Sequence, residues 1–264
     1  MMDTAHLALP PDVTHMLEAL LAGLRHALGP QLVGVYLRGS LALGDFIPAT
    51  SDIDVLVVAA HPITDEQFAA LAALHAQLAA LPNAYASRME MAYVDRASLR
   101  RFEPGRRHPT LGQGEALVWS EHRDNWVLER WTVRERGVTL LGPDPHTLID
   151  PIGPDELRAA VRARLHDWAD WAAQPDDPDW LLPRAHKAYV IETMCRALAT
   201  LASGELWSKP RAVAWALTSL PEPWRTTVRR SQSWRSDTTP DPAIVPEVVR
   251  FVHWAATKGA IGAG

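Results

Sequence analysis

Residues 32–59 limit the choice of fold more than any other stretch. Leu32 to Leu37 (LVGVYL) is a short, apolar, β-branched run that reads as a buried strand, and Gly39-Ser40 interrupts it. A loop containing Gly44, Pro48 and Ser51 follows. Residues 52–59 (DIDVLVVA) then open on two aspartates and continue as a valine-rich strand, predicted to be buried on both faces. Side chains two apart on a strand share a face, so Asp52 and Asp54 are aimed at one point. Two carboxylates that converge repel each other unless a cation lies between them. Mg²⁺ suits that place, being hard, oxygen-seeking and content with few carboxylates plus substrate phosphates. Gly39 lets a backbone approach phosphate closely, and Ser40 adds a hydroxyl and an N–H. A helix beginning near Leu41 would aim its N-terminus at the same phosphates.

The flanking sequence builds a domain around this segment. Residues 12–28 carry apolar residues at helical spacing and stop at Gly29-Pro30. Residues 64–81 read as an Ala/Leu-rich helix with acids in its first turn. Residues 88–95 (RMEMAYVD) alternate as a third strand, which sets Glu90 beside the two aspartates as a third metal ligand or a general base. Residues 104–114, rich in Gly, Pro and basic residues, read as a loop, and 138–142 as a strand. The Pro-rich stretch at 142–154 (GPDPHTLIDPIGP) marks a domain boundary. Helical patterns near 155–173, 183–203, 209–219, 221–234 and 243–258 follow. The expectation is an α+β chain: residues 1–150 a mixed sheet flanked by helices, residues 151–264 an all-helical bundle.

Bulk properties exclude several classes. With 47% hydrophobic and 22% charged residues, a chain of 264 can bury a core without disulfides. Its one cysteine, Cys195, cannot form an internal disulfide and reads as a small core residue; it fits a reducing, cytoplasmic setting. The net charge of −5 lacks the basic footprint of a nucleic-acid binder, so a small or cationic partner is expected. No stretch is apolar enough to span a membrane, and Met1 to Pro10 lacks the pattern of a signal peptide. His108, His122, His146 and His186 show no zinc spacing. Trp119, Trp126 and Trp131 suit core packing or an aromatic platform for an acceptor. Arg100-Arg101 and Arg106-Arg107 suit a solvated loop or an anion contact. The sequence leaves open whether Lys258 to Gly264, rich in Gly and Ala, is ordered; such ends usually are not.

Residues 36–58 (YLRGSLALGDFIPATSDIDVLVV) resemble the Gly-Ser and Asp-x-Asp signature of the polymerase-beta-like nucleotidyltransferase superfamily. More closely, the chain is similar to the streptomycin/spectinomycin (aminoglycoside) adenylyltransferases and their relatives with a helical C-terminal domain. LLGPDPHTLIDPI at 140–152 and ASGELWSKPRAVAWALTSLP at 202–221 carry the likeness into the second half. The resemblance implies that Gly39, Ser40 and Ser51 contact ATP phosphates and that Asp52 and Asp54 hold Mg²⁺. It implies that Glu90 is the catalytic base, that Lys209 reaches the phosphates, and that Trp234 lies beside the nucleotide. It also implies a link to antibiotic resistance. One departure stands out: the drug-modifying members carry acids just before a long helix, whereas this chain has Arg184-Ala185-His186-Lys187. That basic stretch is expected to repel a cationic drug unless Asp176, Asp177 and Asp179 offset it.

The chemistry expected is transfer of AMP from ATP to a hydroxyl of a small acceptor bound between the domains, with Mg²⁺ on the aspartates. Two alternatives stay open on sequence alone: a non-catalytic nucleotide sensor on the same fold, and transfer to a protein or RNA hydroxyl. Three clustered carboxylates argue against a pure binder.

Overall fold

The computed structural model describes residues 9–261. The reading that Met1 to Pro10 lacks a signal peptide falls largely, and residues 262–264 of the C-terminal end wholly, outside them. The described residues divide into two compact units that part between Pro151 and Ile152.

The first unit is a mixed sheet with helices. Helix α1 (Pro11–Leu28) buries Val13, Met16, Leu17, Leu20, Leu21, Leu24 and Leu28, one apolar stripe at helical spacing. Strand β1 (Leu32–Leu37) is followed by one helical turn, α2 (Gly39–Leu43), and by β2 (Ile53–Ala59). Helix α3 (Asp65–Ala79) starts in a capping box: Thr64 Oγ1 accepts from the Gln67 N–H at 3.2 Å while Gln67 Oε1 accepts from the Thr64 N–H at 3.0 Å. This crossover returns the chain to β3 (Met89–Asp95), which pairs parallel with β2. The remaining elements are α4 (Arg96–Arg100), β4 (Arg107–Leu111), β5 (Val118–Glu121), α5 (Asn125–Arg136) and β6 (Val138–Leu141). The strand order is β5-β4-β3-β2-β1-β6, with only the β2/β3 pair parallel.

Alternation sorts the strands' side chains. Val35, Leu37, Ile53, Val55, Val57, Met89, Met91 and Tyr93 join α1 and α3 in the core. The opposite set carries Asp54 and Glu90 along with the buried Tyr36, Leu56, Ala92 and Val94. Residues 104–114 are not a plain loop, because β4 lies within them. Pro109 disguised the strand; it stands beyond the ladder to β3, which covers Thr110 and Leu111, so its missing N–H costs no bond there.

The second unit is helical: α6 (Pro154–Ala172), α7 (Arg184–Ser203), α8 (Lys209–Ser219), α9 (Trp224–Ser231) and α10 (Val245–Ile261). Helix α7 buries Ala188, Val190, Ile191, Met194, Cys195, Leu198 and Ala199, and α10 buries Val248, Phe251, Val252 and Ala255. Lys258 to Ile261 continue α10, which answers for these four residues what the sequence left open. Among the described residues no helix is long and apolar enough to cross a membrane.

Candidate active site

Strand register brings the acids together. In the parallel β2/β3 pair Asp54 stands opposite Glu90, and Asp52 precedes β2 by one residue. All three are partly buried. Burial first, and the Asp54 carboxylate next, push Glu90 up to about 7, against the opposing pull of Arg38. Gly39 has φ +59°, and a Cβ there would stand 1.9 Å from Asp54 Oδ2. Glycine is therefore required twice, by a left-handed backbone and by the carboxylate packed against it.

Two arginines stand among these acids. The Arg38 guanidinium is buried, with Nη1 2.8 Å from Glu129 Oε2 and 3.3 Å from Asp54 Oδ1. Burial works against its charge, yet Glu129, Asp54 and Glu90 outweigh that and hold its pKa above the usual value. The ring of Trp126 lies 5.6 Å from the guanidinium carbon. Arg88 Nε lies 3.6 Å from Asp52 Oδ1, its Nη1 donates to the Pro48 carbonyl at 3.1 Å, and its Nη2 donates to the Ser51 carbonyl. These bonds pin the loop that delivers Asp52.

The three acids do not by themselves form a metal cage. Among the described residues no group of three His, Cys, Asp or Glu side chains is placed to hold an ion. Arginines stand beside Asp54 and Asp52 instead, so Glu90 as a third ligand stays an expectation beside its reading as a base. The donor set still fits Mg²⁺, which is commonly held by one or two carboxylates and completed by substrate phosphates. Helix α2 is a single turn, so an anion there would rely on individual N–H groups more than on a helix dipole. The Ser51 hydroxyl accepts from the Ile47 N–H at 2.9 Å and thus staples its own loop.

In the second unit, Lys209 opens α8 with its ammonium 4.1 Å from the centroid of the Tyr189 ring. Trp234 is buried, with the Arg230 guanidinium 5.7 Å from its ring. The basic stretch at 184–187 is not an open cationic surface. Lys187 is fully buried, and its Nζ donates to the carbonyls of Asp179, Trp180 and Leu182 at 2.9, 2.9 and 2.7 Å. Arg184 pairs with Asp237 at 3.1 Å and with Asp241. The stretch thus presents neither an open Lys187 ammonium nor an unpaired Arg184 guanidinium. Trp126 and Trp119 pack as core aromatics, on His122 at 3.5 Å and on Phe68 at 5.5 Å.

Arg38 and Glu129 were not foreseen. A signal for Arg38 existed, since an arginine closing a buried strand needs a counter-charge. None existed for Glu129, whose helix the sequence pattern did not reveal.

Comparison with known proteins bears on the fold and the family. Residues 18–99 match the model of the nucleotidyltransferase domain, and residues 147–258 that of the aminoglycoside adenylyltransferase C-terminal domain. The spectinomycin 9-adenylyltransferases of Staphylococcus aureus strains Mu50 and N315 are each 25% identical over 217 residues, covering 74% of this chain and 74% of theirs. A crystal structure of spectinomycin adenyltransferase from Enterococcus faecialis with ATP and spectinomycin shares the fold, with a TM-score of 0.74 and 16% identity, over 94% of this chain and 99% of that one. Two family models thus match successive parts of the chain, a nucleotidyltransferase domain followed by an aminoglycoside adenylyltransferase C-terminal domain.

Proposed function

We propose that the protein transfers AMP from ATP to a hydroxyl of an aminoglycoside-type acceptor, spectinomycin being the first to test. The observation that carries the reading is the register of Asp54 against Glu90 on adjacent parallel strands, with Gly39-Ser40 at the head of the same site. The relatives' activity supports the acceptor class, and the internal burial of Lys187 removes the objection to a cationic one.

In this reading Gly39 and Ser40 receive the triphosphate, and Asp52 and Asp54 hold Mg²⁺. The bound ion would offset charge on the triphosphate and on the departing pyrophosphate. Glu90 accepts the proton of the acceptor hydroxyl as its oxygen bonds to the α-phosphorus. The bond from that phosphorus to the bridging oxygen breaks, and pyrophosphate leaves with the electron pair. A carboxylate raised to about 7 is matched to proton transfer near neutrality. Lys209, from the second domain, is assigned to the phosphates, Ser51 to shaping the loop before Asp52, and Trp234 to the support of the nucleotide side.

The test is pyrophosphate release from ATP and Mg²⁺, with and without spectinomycin or streptomycin. Drug-dependent release is expected. Release that no drug accelerates would reject the aminoglycoside acceptor, and absence of nucleotide binding would reject the site.

A further inference from the structure

We propose that Glu129 is a positioning residue that acts through Arg38, drawing this cation away from Asp54 and so setting how strongly the site takes a divalent metal with its nucleotide. The inference rests on the reading of Asp54 as a metal ligand.

The argument starts from a buried cation between two acids. Arg38 Nη1 makes a hydrogen bond of 2.8 Å to Glu129 Oε2, whereas its approach to Asp54 Oδ1 is 3.3 Å. The stronger of the two attachments therefore goes to the residue on α5. Trp126 and Glu129 are three apart on that helix and share a face, so one element supplies both the counter-ion and the aromatic seat at 5.6 Å. Asp54 is bracketed from its other side, where Oδ2 occupies the space a Cβ on Gly39 would need. The carboxylate is thereby held in orientation by Gly39, while its share of the Arg38 charge is set from a distance by Glu129.

The consequence has a definite sign. An Arg38 that lost Glu129 would be a buried cation with Asp54 as its nearest acid, and buried charges seek a partner strongly. It would then compete with a metal for the same carboxylate. Removing Arg38 as well would take the competitor away.

Titration calorimetry with α,β-methylene-ATP, in Mn²⁺ and again in EDTA, measures the metal-dependent part of nucleotide affinity as a ratio. Glu129→Gln, assayed at a temperature where circular dichroism shows it folded, is expected to lower that ratio about tenfold. Arg38→Met with Glu129→Gln is expected to raise it again, toward or above the parent value. A merely structural Glu129 would make the double variant worse than either single change. An unaltered ratio in Glu129→Gln, or further loss in the double variant, would overturn the proposal alone. A parent protein that binds the analogue equally well in Mn²⁺ and EDTA would instead overturn the metal-site reading on which it stands.

Discussion

A side chain on Gly39 and the carboxylate of Asp54 cannot coexist: a Cβ at position 39 would lie 1.9 Å from Asp54 Oδ2, and the backbone there has φ +59°. The Gly-Ser motif thus has a role besides the phosphate contact proposed for it. It shapes the orientation of an acid on the next strand.

Gly39→Ala should therefore act on Asp54. The left-handed backbone alone costs on the order of 1–3 kcal/mol with a Cβ, and the clash must move the carboxylate. Expected is a loss of kcat/KM for ATP of at least ~100-fold, about 2.7 kcal/mol, with the circular dichroism spectrum retained. Activity within about threefold of the parent would show that Asp54 orientation does not matter to the reaction.

Most of this site was legible because it is local. Gly39, Ser40, Asp52 and Asp54 fall within one strand-loop-strand segment, and Glu90 needed only the assumption that 88–95 was the next strand. Elements with strong periodicity, such as 12–28 and 209–219, fell within a residue of where the pattern set them. What escaped was long-range. Glu129 meets Arg38 from 91 positions away, and no spacing rule reaches that far. The basic stretch at 184–187 proved less open than its charge count implied, for a related reason. Charge counted along a sequence says nothing of direction, and Lys187 turns inward to three carbonyls while Arg184 finds acids at 237 and 241.

Glu90 gives a pH prediction of two opposite signs. As the base it works only when deprotonated, so kcat/KM should fall below about pH 7, tenfold per unit. Glu90→Gln should abolish that limb and cost ~10²–10⁴ in rate. Stability runs the other way. A folded pKa raised from 4.5 to about 7 means this group's contribution is complete below 4.5 and lost as pH rises through 7. Denaturant titration at pH 8 should therefore find Glu90→Gln more stable than the parent although inactive. A less stable variant would mean that the Glu90 charge is welcome in the fold.

Lys187 should prove structural. Its three N–H bonds saturate its donors, and they end the short helical turn at 178–181 by satisfying carbonyls there. Lys187→Met would leave those oxygens without their donor and should lower stability by roughly 2–4 kcal/mol. Once the variant is folded at low temperature, its affinity for spectinomycin should match the parent's within about twofold. A large gain in affinity would mean that the charge repels the drug after all.

Acid should unfold the first unit through its buried imidazoles. His75 is buried, its Nε2 is 2.6 Å from the Tyr93 hydroxyl, and burial lowers it from 6.5 to about 4. His108 falls to about 4 and His122 to about 2, both chiefly through burial, with positive neighbours adding to the effect. A depressed histidine pKa gives stability that is present above 6.5 and lost as pH falls through the folded value, because the unfolded chain takes up the proton first. Each such group contributes a slope of up to about 1.4 kcal/mol per pH unit in that window. The urea midpoint should accordingly drop steeply from pH 7 to pH 5. His75→Gln, which keeps a polar partner for Tyr93 but cannot titrate, should flatten that slope by about one proton. An unchanged slope would mean that His75 is charged in the folded protein, with Tyr93 as its acceptor.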